Sequence, residues 1–375
     1  MNAIARRETR TPSAARTLLG AATLLLAAVA SLAGARPAAA APPPLRFGIA
    51  PLAQAGQIGA TPAPAIGEDL RATLRWLDRL RPARHRFVLR LNRFFWADGE
   101  PAFARYLRLA RRFGAAGYKI ELQVRYRPPV GKAGDIRAWT AHVRAVVRRF
   151  GRIRAVEALQ IANEVNFDFS PDSSDGWFPG ARGALVAGVI AARDEARRLR
   201  LRHLRIGFNW AYRRDPAYER AFWRDLGRLG GARFARSVQW IGLDAYPGTV
   251  FPPPSPGLDE GRALVAAARE LRKYARLAHL SSRLPLRIEE CGWPTFPGRS
   301  ERYQATALAR MVRAAWRARG KLRITDFRWF NLRDGDTSSP LPFQHFGLLR
   351  SDYTPKPAFA TYRRLLRDLL SRGHR

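Results

Sequence analysis

Eight short apolar runs alternate with eight amphipathic stretches along this chain, and that regularity leaves few folds open. The runs are LRFGIA (45–50), HRFVLRL (85–91), YKIELQV (118–124), AVEALQIA (155–162), LRIGFN (204–209), VQWIGLDA (238–245), LRIEE (286–290) and ITDFRWF (324–330). Between and after them lie segments 67–80, 101–114, 135–151, 184–199, 217–230, 261–278, 304–320 and 357–370, where apolar residues recur every three to four positions. Strands that alternate with helices pair in parallel, and eight such units predict a single (β/α)8 barrel. A doubly wound sheet has no need of eight regular units.

The connections are unequal. Those from helix back to strand are short: GAAG (114–117), GRIR (151–154) and SSR (281–283). Those from strand to helix are long and aromatic, among them NRFFWADGE, YRPPVGKAG, NFDFSPDSSDGWFPG, YPGTVFPPPSPG and NLRDGDTSSPLPFQHFG. In a barrel these long loops gather on the C-terminal face, where active sites lie. The asymmetry locates a functional end before any motif is considered.

The barrel is expected over residues 42–375. Residues 1–41 read as a signal peptide: a basic start, the apolar run TLLGAATLLLAAVASLAGA, then small residues that offer cleavage near Ala40 or Ala41. A retained membrane anchor is the plainer alternative, but the run is short for a span. The expected location is therefore secreted or at the cell surface, with no stable membrane insertion after cleavage, and a monomer. Cys291 is the one cysteine, so no disulfide forms within the chain, and a small buried residue is expected there rather than a catalytic thiol.

The formal net charge is +36, and of 66 basic residues only Lys119, Lys132, Lys273, Lys321 and Lys356 are lysines. Such an excess raises the question of a nucleic-acid or other polyanionic partner. The arginines are spread through nearly every helical segment, form no basic tail and accompany no nucleic-acid motif. They are expected on solvated outer helix faces, with no nucleic-acid partner. The histidines lack ligand spacing, no glycine-rich phosphate loop appears, and PDSSDG (171–176) lacks the full ligand run of a calcium loop. No metal or cofactor is expected.

Two carboxylates stand out. Glu164 follows the fourth strand in ANEVN, and Glu290 ends the seventh in LRIEECGWP. Barrel strands four and seven lie across the cavity from each other, so this pair can flank one bond. Hydrolysis of a glycosidic bond needs such a pair, one to protonate the leaving oxygen and one to attack or stabilise the anomeric carbon. Asn163 is placed to hydrogen-bond a sugar hydroxyl. Because successive strand residues face opposite ways, Glu289 is expected to point away from the cavity that Glu290 faces.

With these residues the sequence resembles the clan A retaining glycoside hydrolases, recognised by Asn-Glu at the end of strand four and Glu at the end of strand seven. ANE (162–164) matches the first, and ECGWP (290–294) is similar to the second, which aligns the nucleophile with Glu290. RLNRFFW (90–96) resembles the second-strand arginine segment and implicates Arg90. LDAYPG (243–248) resembles the sixth-strand tyrosine that contacts the nucleophile and implicates Tyr246. RWFNLRDG (328–335) resembles the eighth-strand tryptophan that floors the sugar site and implicates Trp329. FGLLRSDYTPKPAFATY (346–362) is similar to the segment that closes these barrels. The resemblance spans nearly the whole of 42–375 and points to no single family within the clan. Each residue also has a plainer reading: Arg90 as a surface charge, Tyr246 as a turn former, Trp329 as a core aromatic.

The resemblance implies a retaining β-glycosidase acting on a carbohydrate, with Glu290 as nucleophile, Glu164 as acid and base, and Arg90, Asn163, Tyr246 and Trp329 at the substrate. The competing readings are a carbohydrate-binding barrel without catalysis and a polyanion-binding surface protein. Transglycosylation is a close variant of the first.

Overall fold

The structure, a computed structural model, describes residues 43–53, 66–83, 85–168, 170–249 and 259–372. The expected signal peptide and part of the loop 246–257 lie outside these residues. Eight parallel strands close into a barrel in sequence order. They are β1 (Arg46–Ile49), β2 (Phe87–Phe95), β3 (Lys119–Arg125), β4 (Val156–Ile161), β5 (Arg205–Ala211), β6 (Trp240–Asp244), β7 (Leu286–Cys291) and β8 (Ile324–Trp329). β1 pairs with β2 on one side and with β8 on the other, which seals the ring.

The expected helices follow their strands: α1 (Leu70–Leu80), α2 (Gly99–Ala115), α3 (Ile136–Phe150), α4 (Ala181–Arg198), α5 (Pro216–Ser237), α6 (Glu260–Ala275), α7 (Glu301–Leu322) and α8 (Pro357–Arg372). Their starts are chemically marked. The Asp69 carboxylate accepts from Arg71 N and Ala72 N, Asp135 from Ala138 N, Asp215 from Tyr218 N and Asp259 from Arg262 N. Each satisfies backbone donors that the first turn leaves unpaired. α5 runs past its expected end at Gly230, bending at Gly231, where φ is 51°. No helix among the described residues is long and apolar enough to cross a membrane.

Strand residues alternate between two environments. Phe47, Leu89, Leu122, Leu159, Ile288 and Phe327 face outward and are buried in the apolar core shared with the helices. The inward positions hold charge instead. Arg287 Nη1 meets Glu121 Oε2 at 2.7 Å, Arg328 Nη2 meets Asp326 Oδ1 at 2.8 Å, and Arg90 Nε lies 3.6 Å from Glu121 and 3.7 Å from Glu289. Barrel interiors are usually filled by branched apolar side chains. Here long guanidinium groups fill the space, and small residues make way for them. A Cβ on Gly48 would lie 2.7 Å from Arg328 Cδ and 2.2 Å from the Val88 carbonyl oxygen.

Among the described residues, five arginines depart from the outer helix faces expected for most of them. Residues such as Arg108, Arg111, Arg313 and Arg317 do lie on exposed helix faces. Arg90, Arg125, Arg287, Arg328 and Arg333 are buried, and the reading of Arg90 as a surface charge fails with them. Inward carboxylates sustain the burial of Arg90, Arg287 and Arg328, Asp175 of the loop after β4 that of Arg125, and Glu68 with the Ser351 and Ile66 carbonyls that of Arg333, since an unpaired charge in such surroundings is prohibitive.

Candidate active site

A β-bulge builds the centre of the site. β7 advances from Ile288 to Cys291 while β8 advances from Phe327 to Trp329, so β7 carries one extra residue. The same step appears against β6, where Leu243 pairs with Ile288 and Asp244 with Glu290. The extra residue lets Glu289 and Glu290 both face inward. Glu289 enters the ion-paired interior, and Glu290 reaches the C-terminal mouth. The expectation that Glu289 points away is therefore wrong, because simple alternation does not survive a bulge.

Glu290 is held from two sides. Arg90 Nη1 hydrogen-bonds its Oε1, and Tyr246 Oη donates to its Oε2 at 2.5 Å. Arg90 is itself fixed by Nη2 donating to Gln160 Oε1 at 2.7 Å. Burial alone would lower the pKa of Arg90, but the carboxylates of Glu290, Asp244, Glu289 and Glu121 outweigh it and raise the value. Burial, with Glu290 and Asp244 nearby, pushes the Tyr246 phenol well above its ordinary value, so Tyr246 stays a donor.

Glu164 sits across the mouth in a different setting. β4 ends at Ile161, and the chain then turns with φ of 58° at Ala162 and 46° at Glu164. Left-handed backbone costs a non-glycine residue about 1–2 kcal/mol, and hydrogen bonds hold it here. Asn209 Oδ1 accepts from Glu164 N at 3.0 Å, and Asp175 Oδ2 accepts from Asn163 N at 2.8 Å. The Glu164 side chain receives a hydrogen bond from Ser174 Oγ at 3.0 Å. Burial first, then the charge of Glu290, pushes its carboxyl up to about 8, and the Ser174 hydroxyl opposes that rise. Carboxylate oxygens of Glu164, Asp244 and Glu290 lie within 4.8 Å of one another.

Asp244 was not singled out from the sequence. It precedes Tyr246 by two positions at the end of β6, so both turn the same way. Its Oδ2 accepts from Asn209 Nδ2, its Oδ1 has no hydrogen-bond partner among the described residues, and Arg90 Nη2 lies 3.9 Å away. Burial and the neighbouring charge of Glu290 push its carboxyl well above the usual range. Three convergent carboxylates are also a set that a divalent cation can bridge. Arg90 already supplies positive charge to two of them.

The other expected residues divide. Asn163 is at the site but strongly engaged within the protein. Its Oδ1 accepts from Gln123 Nε2, Gln160 Nε2 and Asn209 Nδ2 at 2.7, 3.0 and 2.8 Å, and its Nδ2 donates to Ser173 O at 2.8 Å. Among the described residues its second amide hydrogen has no partner. Trp329 is not brought to the site. It alternates outward from Arg328, is fully buried in the main core, and donates Nε1 to Phe346 O at 3.3 Å. The next residue, Phe330, turns in instead. Its ring meets Tyr246 edge-on, with centroids 6.2 Å apart, in a small aromatic group with Phe346 and Ala50.

Most other aromatic and acidic residues near the strand ends serve the fold. Trp96 stacks on Tyr126, and Trp210 is buried with Nε1 bonded to Glu219. Trp177 is exposed, and Phe178 packs on the core. In 171–176, Asp172 pairs with Arg93 at 2.9 Å and Asp175 with Arg125 at 2.7 Å, so these acids serve guanidinium groups and, through Ser174, position Glu164. Cys291 is buried, and burial raises its thiol well above the ordinary value.

Comparison with known proteins agrees on the fold. No family model matches the chain, and no curated protein matches it. Among solved structures, GH5_18 from Bifidobacterium longum aligns with TM-score 0.61 at 15% identity, covering 87% of this chain and 80% of that one. The GH1 beta-glucosidase from Exiguobacterium antarcticum aligns with TM-score 0.53 at 13% identity, covering 80% and 86%. The Penicillium canescens endo-1,4-beta-xylanase XylE aligns with TM-score 0.52 at 15% identity, covering 75% and 86%. The chain thus shares the (β/α)8 barrel of these clan A glycoside hydrolases.

Proposed function

We propose that this chain is a secreted glycoside hydrolase that cleaves β-linked glycans with retention of anomeric configuration. One observation carries the reading: two carboxylates within 4.8 Å at the barrel mouth stand in opposite electrostatic settings. Glu290 accepts from a guanidinium and a phenol, which suits a carboxylate that attacks. Glu164 is desolvated beside that charge and keeps its proton to about pH 8, which suits an acid. Environments that separate two neighbouring carboxyls in this way assign them to different roles. An approach of carboxylate oxygens this close fits the narrower of the two carboxyl spacings, that of retaining enzymes.

In the first step Glu290 attacks the anomeric carbon while Glu164 protonates the departing oxygen. Once Glu290 is esterified its charge is gone, the pressure on Glu164 falls, and Glu164 accepts a proton from the incoming water. Arg90 and Tyr246 hold Glu290 in line before attack and receive it again on release. The free amide hydrogen of Asn163 is available to a sugar hydroxyl, and Phe330 offers an apolar edge beside Tyr246. The reaction needs no cofactor.

The test is digestion of a polysaccharide and aryl β-glycoside panel, with the released anomer followed by NMR. Prompt release of the β-anomer from any member supports the reading. Binding without turnover across the panel favours a carbohydrate-binding barrel, and initial release of the α-anomer favours inversion.

A further inference from the structure

The end of the barrel opposite the proposed catalytic mouth is also a built concavity. The strands begin there, and a depression of about 760 Å³ opens on their first residues. Its wall includes Arg46 at the start of β1, Arg86 before β2, Lys119 at the start of β3 and Arg205 at the start of β5. Arg154 and Arg202, from the short loops ahead of β4 and β5, complete the rim. Cations thus reach the depression from several sides of the closed sheet.

Charge balance separates this ring from the rest of the basic surface. Glu157 is the acidic residue in the wall, and Arg46 already engages it. Among the described residues, none of Arg86, Lys119, Arg154, Arg202 and Arg205 has an ion pair. The field is felt by His203 in the same wall. Burial first, then Arg154 and Lys119, lowers its pKa. Arginines on convex helix faces spread their charge into solvent, whereas a concave wall of low dielectric concentrates it. Such a cluster repels itself until an anion enters.

The geometry points to a second site at this end, one that takes a compact anion carrying several phosphate groups close together. Guanidinium groups match phosphate with paired parallel hydrogen bonds, and most of the free cations are arginines. A ring around the barrel axis favours an anion whose charges are clustered over a long polymer that lies across the surface. The site is independent of the reaction at the other end.

Calorimetric titration of the full chain with inorganic tripolyphosphate at about 0.15 M salt, where the screening length is about 8 Å, tests this. The expected result is saturable binding of one tripolyphosphate per chain, at least tenfold tighter than orthophosphate. The double variant Arg154→Glu/Arg205→Glu is expected to weaken it at least tenfold, and Arg154→Gln/Arg205→Gln serves if the reversal unfolds. Arg313→Glu/Arg317→Glu on exposed α7 changes the net charge equally and is expected to shift affinity less than twofold. Absence of saturable binding, several ions per chain, or equal losses in the two reversal variants would overturn the proposal.

Discussion

Tyr246 Oη donates to Glu290 Oε2 at 2.5 Å, while its ring packs edge-on against Phe330 and Phe346. The hydroxyl and the ring therefore have separable duties. Tyr246→Phe keeps the packing and deletes one charge-assisted hydrogen bond, worth roughly 1.5–3 kcal/mol. A loss of about ten- to a hundredfold in kcat/KM is expected, with little change in Tm. Unchanged kinetics would remove Tyr246 from the site.

The proton on Glu164 gives a stability signature. In the unfolded chain its carboxyl titrates near the model value of 4.5, and in the folded chain it is raised to about 8. The folded state therefore holds the extra proton between these values. The resulting stability is complete below the unfolded value and is lost as pH rises toward 8 and beyond. Glu164→Gln carries no such titration. Its Tm relative to wild type should increase from pH 5 to about pH 8 and level off toward pH 9. A difference that stays flat over that range would contradict the raised value.

Ser174 tunes the same group. Its hydroxyl favours the charged form of Glu164. Ser174→Ala should raise the Glu164 pKa further, so the alkaline limb of the kcat/KM profile should move to higher pH. A limb that moves down, or does not move, would assign it to another group.

Trp329 and Phe330 make a paired test. Trp329→Phe loses the Nε1 bond to Phe346 O inside the core, and a cost of about 1–3 kcal/mol in stability is expected with KM unchanged. Phe330→Ala removes the ring beside Tyr246 and should raise KM on glycosides more than it lowers Tm. The opposite pattern would return the sugar-facing role to Trp329. Thermal melts and steady-state kinetics on both variants decide it.

The contrast between those two residues shows where the sequence is informative. The alternation of eight apolar runs with eight amphipathic segments reports the barrel, because burying strands and helices against each other imposes those periods. Glu164, Glu290 and Tyr246 were legible because each stands at or just past a strand end whose place in a barrel is known, and Arg90, within β2, because its segment resembles a known second-strand motif. Glu289 was misdirected because facing is decided by parity, and a one-residue bulge in β7 resets parity without any mark in composition. Trp329 was misplaced because the motif likeness was followed over the regular alternation of β8, which turns Arg328 inward and Trp329 out. The polar interior left a signal that went unread. Glu121, Gln123, Gln160 and Asn209 interrupt apolar strands at alternate positions, which in a strand covered on one side by helices means a polar barrel lumen. Asp244 followed the same rule, two residues before Tyr246. Ser174 had no local signal, since its role depends on how the loop after β4 folds back.

The central claim is that Glu290 forms the covalent bond and Glu164 assists it. In Glu164→Ala, a dinitrophenyl β-glycoside needs no protonation to leave, but water lacks a base, so the glycosyl-enzyme should accumulate. Mass spectrometry of that variant, incubated with a set of dinitrophenyl β-glycosides and digested, reads the bond directly. The account predicts one added glycosyl unit on the peptide containing Glu290, located on Glu290 by fragmentation, and its loss with formation of a β-glycosyl azide when azide is added. A label on Asp244 or Glu289, or turnover without any adduct and with inverted product, would contradict it.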